Sequence, residues 1–286
     1  MPDINPIERR RAIMRYVKGA VIIILLGAVV GLVAYVSFRP SPKQGLPASQ
    51  SVPVMTQRVE LKTQDSVAVV GDYYVPASTS VRGLLLLHMM PADRASWRAF
   101  AEKMQSAGWH VLAIDLRGHG ESQGGPPGAS LAKGGPDGYK RFSDAEHQAS
   151  RFDIEAGVEF LKEALRQSSG ESELYLGGAS IGANLALQYL AEHADAKAAL
   201  LLSPGLDYRG VTTESAARSL KPGQSVYYIA SRDDQYSADT IQRLYDVTPS
   251  GVRKEIKFFE TAGHGTTIFE REPAFMDELA GWLANR

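Results

Sequence analysis

The serine best placed for chemistry is Ser180, in the GASIG segment at residues 178–182. The segment fits the pattern G-x-S-x-G, and it follows a run that predicts a strand and precedes one that predicts a helix. A sharp strand-to-helix turn would present the hydroxyl and bring neighbouring backbone close, which requires small residues at 178 and 182. We therefore predict Ser180 to be a nucleophile that attacks a carbonyl carbon.

A serine hydroxyl needs a base, and the base needs an acid that orients it. His264 follows the last predicted strand, within TAGHG, so a loop could bring its imidazole to Ser180. Asp234 and Asp233 follow the preceding predicted strand. Asp234 is the first choice as the acid, Asp233 the second, and Asp207, after an earlier strand, the third.

Such a reaction also needs two N–H donors for the negative charge that develops on the carbonyl oxygen. The backbone amide of Ile181, directly after the serine, is one candidate. The other should come from the HMMP segment at residues 88–91, where Met90 is preferred over Met89. Pro91 has no amide hydrogen.

The elements that must position these residues follow an alternating pattern. Strands that alternate with helices predict a mostly parallel sheet covered by helices on both faces. Ligands bind such sheets at the carboxyl ends of the strands. We predict strands at 54–61, 66–75, 83–88, 109–115, 173–178, 198–203, 225–231 and 254–260, the first two forming a hairpin. We predict helices at 95–107, 144–167, 181–193, 239–246 and 273–284.

From about residue 55 to the end, the chain resembles the α/β-hydrolase superfamily. The resemblance rests on GASIG, on IDLRGHGES at residues 114–122, on the acid after a late strand and on the AGHG histidine. It implies an α/β-hydrolase fold and a triad of Ser180, His264 and Asp234. It also implies that His119 packs a loop. The family's strand before the oxyanion loop usually ends His-Gly, whereas here His88 is followed by Met89.

The predicted function is that of a serine hydrolase that cleaves a carboxylic ester or related acyl bond in a small or lipid-like substrate. A thioesterase, an amidase or peptidase, or a perhydrolase would use the same triad. A non-catalytic binding domain of the same fold is the alternative from another class. The sequence does not indicate an oligomeric state.

The N-terminus predicts a membrane anchor. Residues 19–38 carry no charge over a length that spans a bilayer as a helix. Five basic residues precede this run, which predicts a cytoplasmic tail at 1–18 and a single-pass protein. A Pro-rich linker at 39–53 would lead to a hydrolase domain at 54–286 on the periplasmic or extracellular side. A cleaved signal peptide is the alternative, and it would export the same domain.

Composition excludes several other classes of function. The chain has no cysteine, which removes thiolate metal sites and cysteine nucleophiles. The formal net charge of −1 argues against nucleic acid as the main partner. Neither a phosphate loop nor a dinucleotide fingerprint is present, and the remaining histidines lack ligand spacing. We predict no cofactor and no metal.

Overall fold

The computed structural model describes residues 55–123 and 138–286. The predicted tail (1–18), membrane helix (19–38) and linker (39–53) lie outside the described residues. Within the part of the chain that is described, no helix has both the length and the apolar character that crossing a bilayer requires.

An eight-stranded sheet forms the centre of the domain. Its strands are β1 (Met55–Lys62), β2 (Ala68–Val75), β3 (Arg82–Leu87), β4 (His110–Ile114), β5 (Glu173–Ala179), β6 (Ala196–Leu202), β9 (Ser225–Ser231) and β10 (Arg253–Phe259). They lie in the order β1-β2-β4-β3-β5-β6-β9-β10. The β1–β2 and β2–β4 pairs are antiparallel, and every later pair is parallel. The predicted hairpin and the mostly parallel sheet are both confirmed.

Burial on both faces explains the composition of the central strands. In β3, Leu84 and Leu86 join the hydrophobic core on one face of the sheet, and Leu85 and Leu87 join the core on the other. All four side chains are fully buried. A strand that is covered on both faces has no solvent-facing side, so its buried positions are apolar on both faces.

Helices cover the two faces. They are α1 (Arg98–Ser106), α2 (Asp144–Gln148), α3 (Arg151–Ser169), α4 (Ile181–Glu192), α5 (Glu214–Ser219), α6 (Gln235–Val247), α7 (Thr267–Arg271) and α8 (Phe275–Ala284). The single helix predicted at 144–167 is wrong, because the chain forms two helices with a break at Ala149 and Ser150. The helix predicted at 239–246 begins four residues earlier, directly after Asp234.

The segment between β6 and β9 is small. It folds into a two-stranded hairpin, β7 (Asp207–Tyr208) with β8 (Val211–Thr212), followed by the short helix α5. The two residues of the turn, Arg209 and Gly210, both have positive φ angles, 56° and 77°. This is the pattern of a type I′ hairpin turn.

Candidate active site

Ser180 lies on a tight turn between β5 and α4. Its backbone is strained, with φ 54° and ψ −121°, and its side chain is largely buried. A Cβ at Gly178 would overlap the backbone of Gly182, and a Cβ at Gly182 would overlap the carbonyl groups of Leu87 and His88. Both glycines therefore allow the close approach of backbone that the G-x-S-x-G pattern predicts.

His264 and Asp234 come together from different loops. The chain places Asp234 directly after β9 and His264 after β10, and the Nδ1 atom of His264 lies 2.6 Å from Oδ2 of Asp234. Burial alone would raise the pKa of Asp234, but the hydrogen bonds from His264 and from the backbone amide of Ser237 outweigh it and hold this pKa below its usual value. Asp234 is therefore an anion that accepts the Nδ1 proton, which leaves Nε2 of His264 free to act as a base.

The other two candidate acids have different partners. Asp233 accepts a hydrogen bond from the backbone of Gly263 and pairs with Arg271, so it supports the loop that carries His264. Asp207 is exposed and accepts from the amide of Gly210 within the hairpin turn. Of the three aspartates, only Asp234 contacts the imidazole.

Two serines at the ends of strands also hold the histidine loop. The Oγ atom of Ser231 accepts a hydrogen bond from the amide of Ala262 at 2.7 Å, and Oγ of Ser203 accepts from the amide of Gly265 at 2.9 Å. Both serines are fully buried. The backbone on either side of His264 is thus anchored to β6 and β9.

The amides expected to bind an oxyanion are available. Among the described residues, no acceptor lies on the backbone N–H of Ile181, Met89 or Met90. The buried ring of His88 accepts from the amide of Leu116 through Nε2 and donates through Nδ1 to the carbonyl of Met89. The N–H of a trans peptide points opposite to its carbonyl, so the N–H of Met90 points away from His88. Within residues 55–123 and 138–286, both preferred donors, Ile181 and Met90, are thus unpaired.

The residues on the two sides of the site meet across a short gap. A Cβ on Gly265 would lie 3.4 Å from Cβ of Ala179 and would touch the sulfur of Met89. In the described part of the chain, no direct hydrogen bond joins the hydroxyl of Ser180 to His264. Burial raises the pKa of the Tyr208 phenol, and the nearby hydroxyl of Ser180 partly offsets this shift.

Tyr208 and Ser237 are the site residues that sequence reasoning missed. The ring of Tyr208 packs edge to face against His264, with centroids 6.3 Å apart, and its hydroxyl lies 3.2 Å from Oγ of Ser237. Ser237 follows Asp234 by three residues, in the first turn of α6. The only signal in the sequence was proximity to the predicted acid, since neither residue belongs to a motif.

No metal centre accompanies these residues in the described ranges: residues 55–123 and 138–286 contain no cluster of three or more histidine, aspartate or glutamate side chains arranged to hold an ion.

Comparisons with known proteins agree on the fold. The family model for the alpha/beta hydrolase fold matches residues 84–239, more than half of the chain. An esterase of Pyrococcus furiosus is similar over 81% of this chain and 90% of its own, with a TM-score of 0.64 and 18% identity. A dienelactone hydrolase of Anabaena variabilis covers 81% of this chain and 96% of its own, with a TM-score of 0.61 and 19% identity.

A third similar structure is an acylaminoacyl peptidase of Pyrococcus horikoshii, which is larger. It matches 78% of this chain and 41% of its own, with a TM-score of 0.59 and 16% identity. At these identities the likeness shows the fold alone. No curated protein matches the chain.

Proposed function

Because the chain belongs to the α/β-hydrolase fold family, we propose that it is a serine hydrolase that cleaves carboxylic esters or related acyl bonds. In this proposal Ser180 is the nucleophile, His264 the base and Asp234 the acid that orients it. The observation that carries the proposal is the 2.6 Å contact between His264 and Asp234, on the same edge of the sheet as the strained turn of Ser180.

Acylation proceeds as follows. The Oγ atom of Ser180 bonds to the carbonyl carbon while Nε2 of His264 takes its proton, and Asp234 stabilises the resulting imidazolium. The amides of Ile181 and Met90 bind the negative oxygen. The bond to the alcohol then breaks, and the leaving oxygen takes the proton from His264, which leaves an acyl group on Ser180.

Deacylation repeats these steps with water. The water oxygen bonds to the acyl carbon as His264 takes one of its protons, and the bond to Ser180 then breaks. The Oγ atom of Ser180 regains its proton from His264, and a carboxylic acid leaves. Every proton in the cycle passes through one imidazole, so the bond between His264 and Asp234 serves both halves of the reaction.

The test compares the wild type with Ser180→Ala. A fluorophosphonate probe should label the wild type and not the variant, and hydrolysis of p-nitrophenyl esters should fall by about four orders of magnitude or more. Ser106→Ala, an exposed serine at the end of α1, is the matched control and should behave as the wild type. Full esterase activity in Ser180→Ala would refute the nucleophile. A folded wild type that neither reacts with the probe nor turns over esters would favour a binding domain.

We further propose, from the sequence alone, that residues 19–38 anchor the hydrolase domain to a membrane. The supporting observations are the uncharged run and the basic residues before it. Protease added to intact cells or spheroplasts should degrade the hydrolase domain and spare the N-terminal tail. The intact mass of the membrane-extracted protein separates an anchor from a cleaved signal peptide, and a domain protected until the membrane is lysed would contradict the orientation.

A further inference from the structure

The small hairpin beside the active site is held more firmly than its length requires. The side chain of Asn184, fully buried one turn after Ser180, donates to the carbonyl of Val211 at 2.7 Å and accepts from the amide of Gly205 at 3.0 Å. The hydroxyl of Thr213 donates to the carbonyl of Gly205. Both ends of the hairpin are thus tied to the helix that begins at the nucleophile.

A second support holds the hairpin from α6. The hydroxyl of Tyr236 accepts a hydrogen bond from the amide of Asp207 at 3.0 Å and donates to the carbonyl of Asp207 at 3.2 Å. The rings of Tyr236 and Tyr208 meet edge to face, with centroids 5.6 Å apart, and Gly205 leaves room for both. These supports hold the backbone of Tyr208, whose ring packs against His264.

The direction of hydrogen-bond donation among the hydroxyl groups around Tyr208 follows from their partners. The hydroxyl of Ser237 donates to the carbonyl of Ser203 at 3.3 Å, so its oxygen can accept the phenolic proton of Tyr208. Burial raises the pKa of Tyr208, which keeps that proton on the phenol. The oxygen of Tyr208 then has lone pairs free to accept a hydrogen bond, and in the free protein the neighbouring hydroxyl is that of Ser180.

Tyr208 also stands on a particular side of Ser180. The oxyanion amides come from the ends of β3 and β5, whereas His264 and Asp234 come from the ends of β10 and β9, on the other side of β6. Tyr208 packs against His264 and bonds to Ser237 of α6. It therefore lies on the side where His264 passes protons, which is where the alcohol leaves and where water enters.

We propose that Tyr208 is a catalytic residue that orients the water of deacylation. This inference rests on the proposed function. After acylation the oxygen of Ser180 has no proton to donate, so the oxygen of Tyr208 is open to another donor. A water held there donates one proton to Nε2 of His264 and the other to Tyr208, which turns a lone pair of its oxygen towards the acyl carbon.

Bond making and breaking remain those of ester hydrolysis. The water oxygen bonds to the acyl carbon, His264 takes one proton, the bond to Ser180 breaks, and Oγ of Ser180 receives the proton from His264. Tyr208 forms no covalent bond and keeps its own proton. With an activated ester such as p-nitrophenyl acetate, acylation needs no help at the leaving oxygen, so removing the phenol should affect deacylation selectively.

The experiment measures the two steps separately in Tyr208→Phe by stopped-flow bursts of p-nitrophenolate. We expect the deacylation rate constant to fall by about 10-fold or more. The acylation constant and the rate of fluorophosphonate labelling should change less than about 3-fold. The steady-state kcat and KM should fall together, and the acyl-enzyme should accumulate in quenched samples examined by mass spectrometry.

Tyr236→Phe is the matched control, since it removes a phenol that supports the same hairpin but does not contact Ser180. Loss of a purely structural contact changes the acylation and deacylation rate constants together. The ratio of these two constants in Tyr236→Phe should therefore equal that of the wild type. If the ratio in Tyr208→Phe does not fall below that of the wild type and the control, the inference is wrong while the proposed function stands. A wild type that shows neither labelling nor a burst would instead refute the proposed function.

Discussion

Neighbouring aspartates do different work at this site, and the difference lies in the direction of each side chain. Asp233 and Asp234 are consecutive, yet one supports the loop backbone at Gly263 and the other contacts the ring of His264. The apolar pattern of the sequence shows where β9 ends, so it placed both aspartates directly after that strand. The sequence could not show which of the two contacts His264, because the direction of a side chain in a loop depends on the local backbone.

Asp234→Asn tests the assignment of the acid. The amide would no longer accept the Nδ1 proton as an anion, so the imidazole would lose its orientation and the stabilisation of its charged form. We expect kcat/KM for an ester to fall by about 1,000-fold or more, with little change in the melting temperature. The exposed Asp207→Asn is the matched control and should keep wild-type activity. A large loss of activity in Asp207→Asn together with wild-type activity in Asp234→Asn would instead identify Asp207 as the acid.

Gly182→Ala tests how tightly the turn of Ser180 is packed. The new Cβ would overlap the carbonyl groups of Leu87 and His88, which are backbone atoms of β3 and the residue after it. We expect a loss of about 1–3 kcal/mol in the free energy of unfolding, measured with urea. Gly281→Ala is the control, because that glycine lies in α8 with open space around it. It should gain up to about 1 kcal/mol from helix propensity, and equal effects of the two variants would contradict the packing argument.

At the scale of elements, the sequence predicted best where burial is most complete. The strand predicted at 225–231 has those bounds, and the predicted β1–β2 hairpin is observed. The helix predicted at 144–167 was wrong, because apolar spacing continues across the break at Ser150 and hides it. The β7–β8 hairpin was missed because its strands have two residues each, too short for an alternating pattern.

Asn184→Ala tests whether the hairpin depends on its buried amide. The variant leaves the amide of Gly205 and the carbonyl of Val211 without their partner, which should cost about 1–3 kcal/mol of unfolding free energy for each unpaired group. Gln188, one turn later on α4, donates to the carbonyl of Thr212 from a more exposed position. Gln188→Ala is the control and should cost less than about 0.5 kcal/mol. Similar losses in both variants would argue against a special role for Asn184.

Across the whole domain, buried polar groups join parts of the chain that are distant in sequence. The guanidinium of Arg117 pairs with Asp65, in the turn between β1 and β2, and with Asp153, in the first turn of α3. Only 2% of the Arg117 side chain is exposed, and burial of such ions is tolerated only when each one is paired. The IDLRGHGES segment therefore acts in packing, as the resemblance implied for His119. The sequence could not predict that Arg117 pairs with Asp65 and Asp153, because these ion pairs depend on tertiary contacts.

A stack of buried rings makes a second such connection. His88, at the end of β3, lies 4.8 Å from His119, and His119 stacks on Tyr139 at 4.1 Å. His88 accepts the amide of Leu116 through Nε2, so it is neutral in the folded protein. Burial lowers the pKa of His88 to about 4 and that of His119 to about 3.

The domain should therefore lose stability in mild acid. An unfolded histidine has a pKa of about 6.5, so the unfolded chain binds more protons than the folded one once the pH falls below that value. The contribution of the two neutral imidazoles is complete above pH 6.5 and declines towards pH 4, with a loss of about 2 kcal/mol for each between pH 7 and pH 5. Urea unfolding at these two pH values measures it. The variant His119→Gln isolates one of the two rings. Whatever its own cost at pH 7, it should reduce the acid-induced loss by about 2 kcal/mol, because the variant side chain cannot take up that proton. His193→Gln changes a half-exposed ring that stacks on Tyr189, and it should keep the wild-type difference. If His119→Gln keeps the full acid-induced loss of the wild type, the ring of His119 is not held neutral in the folded protein.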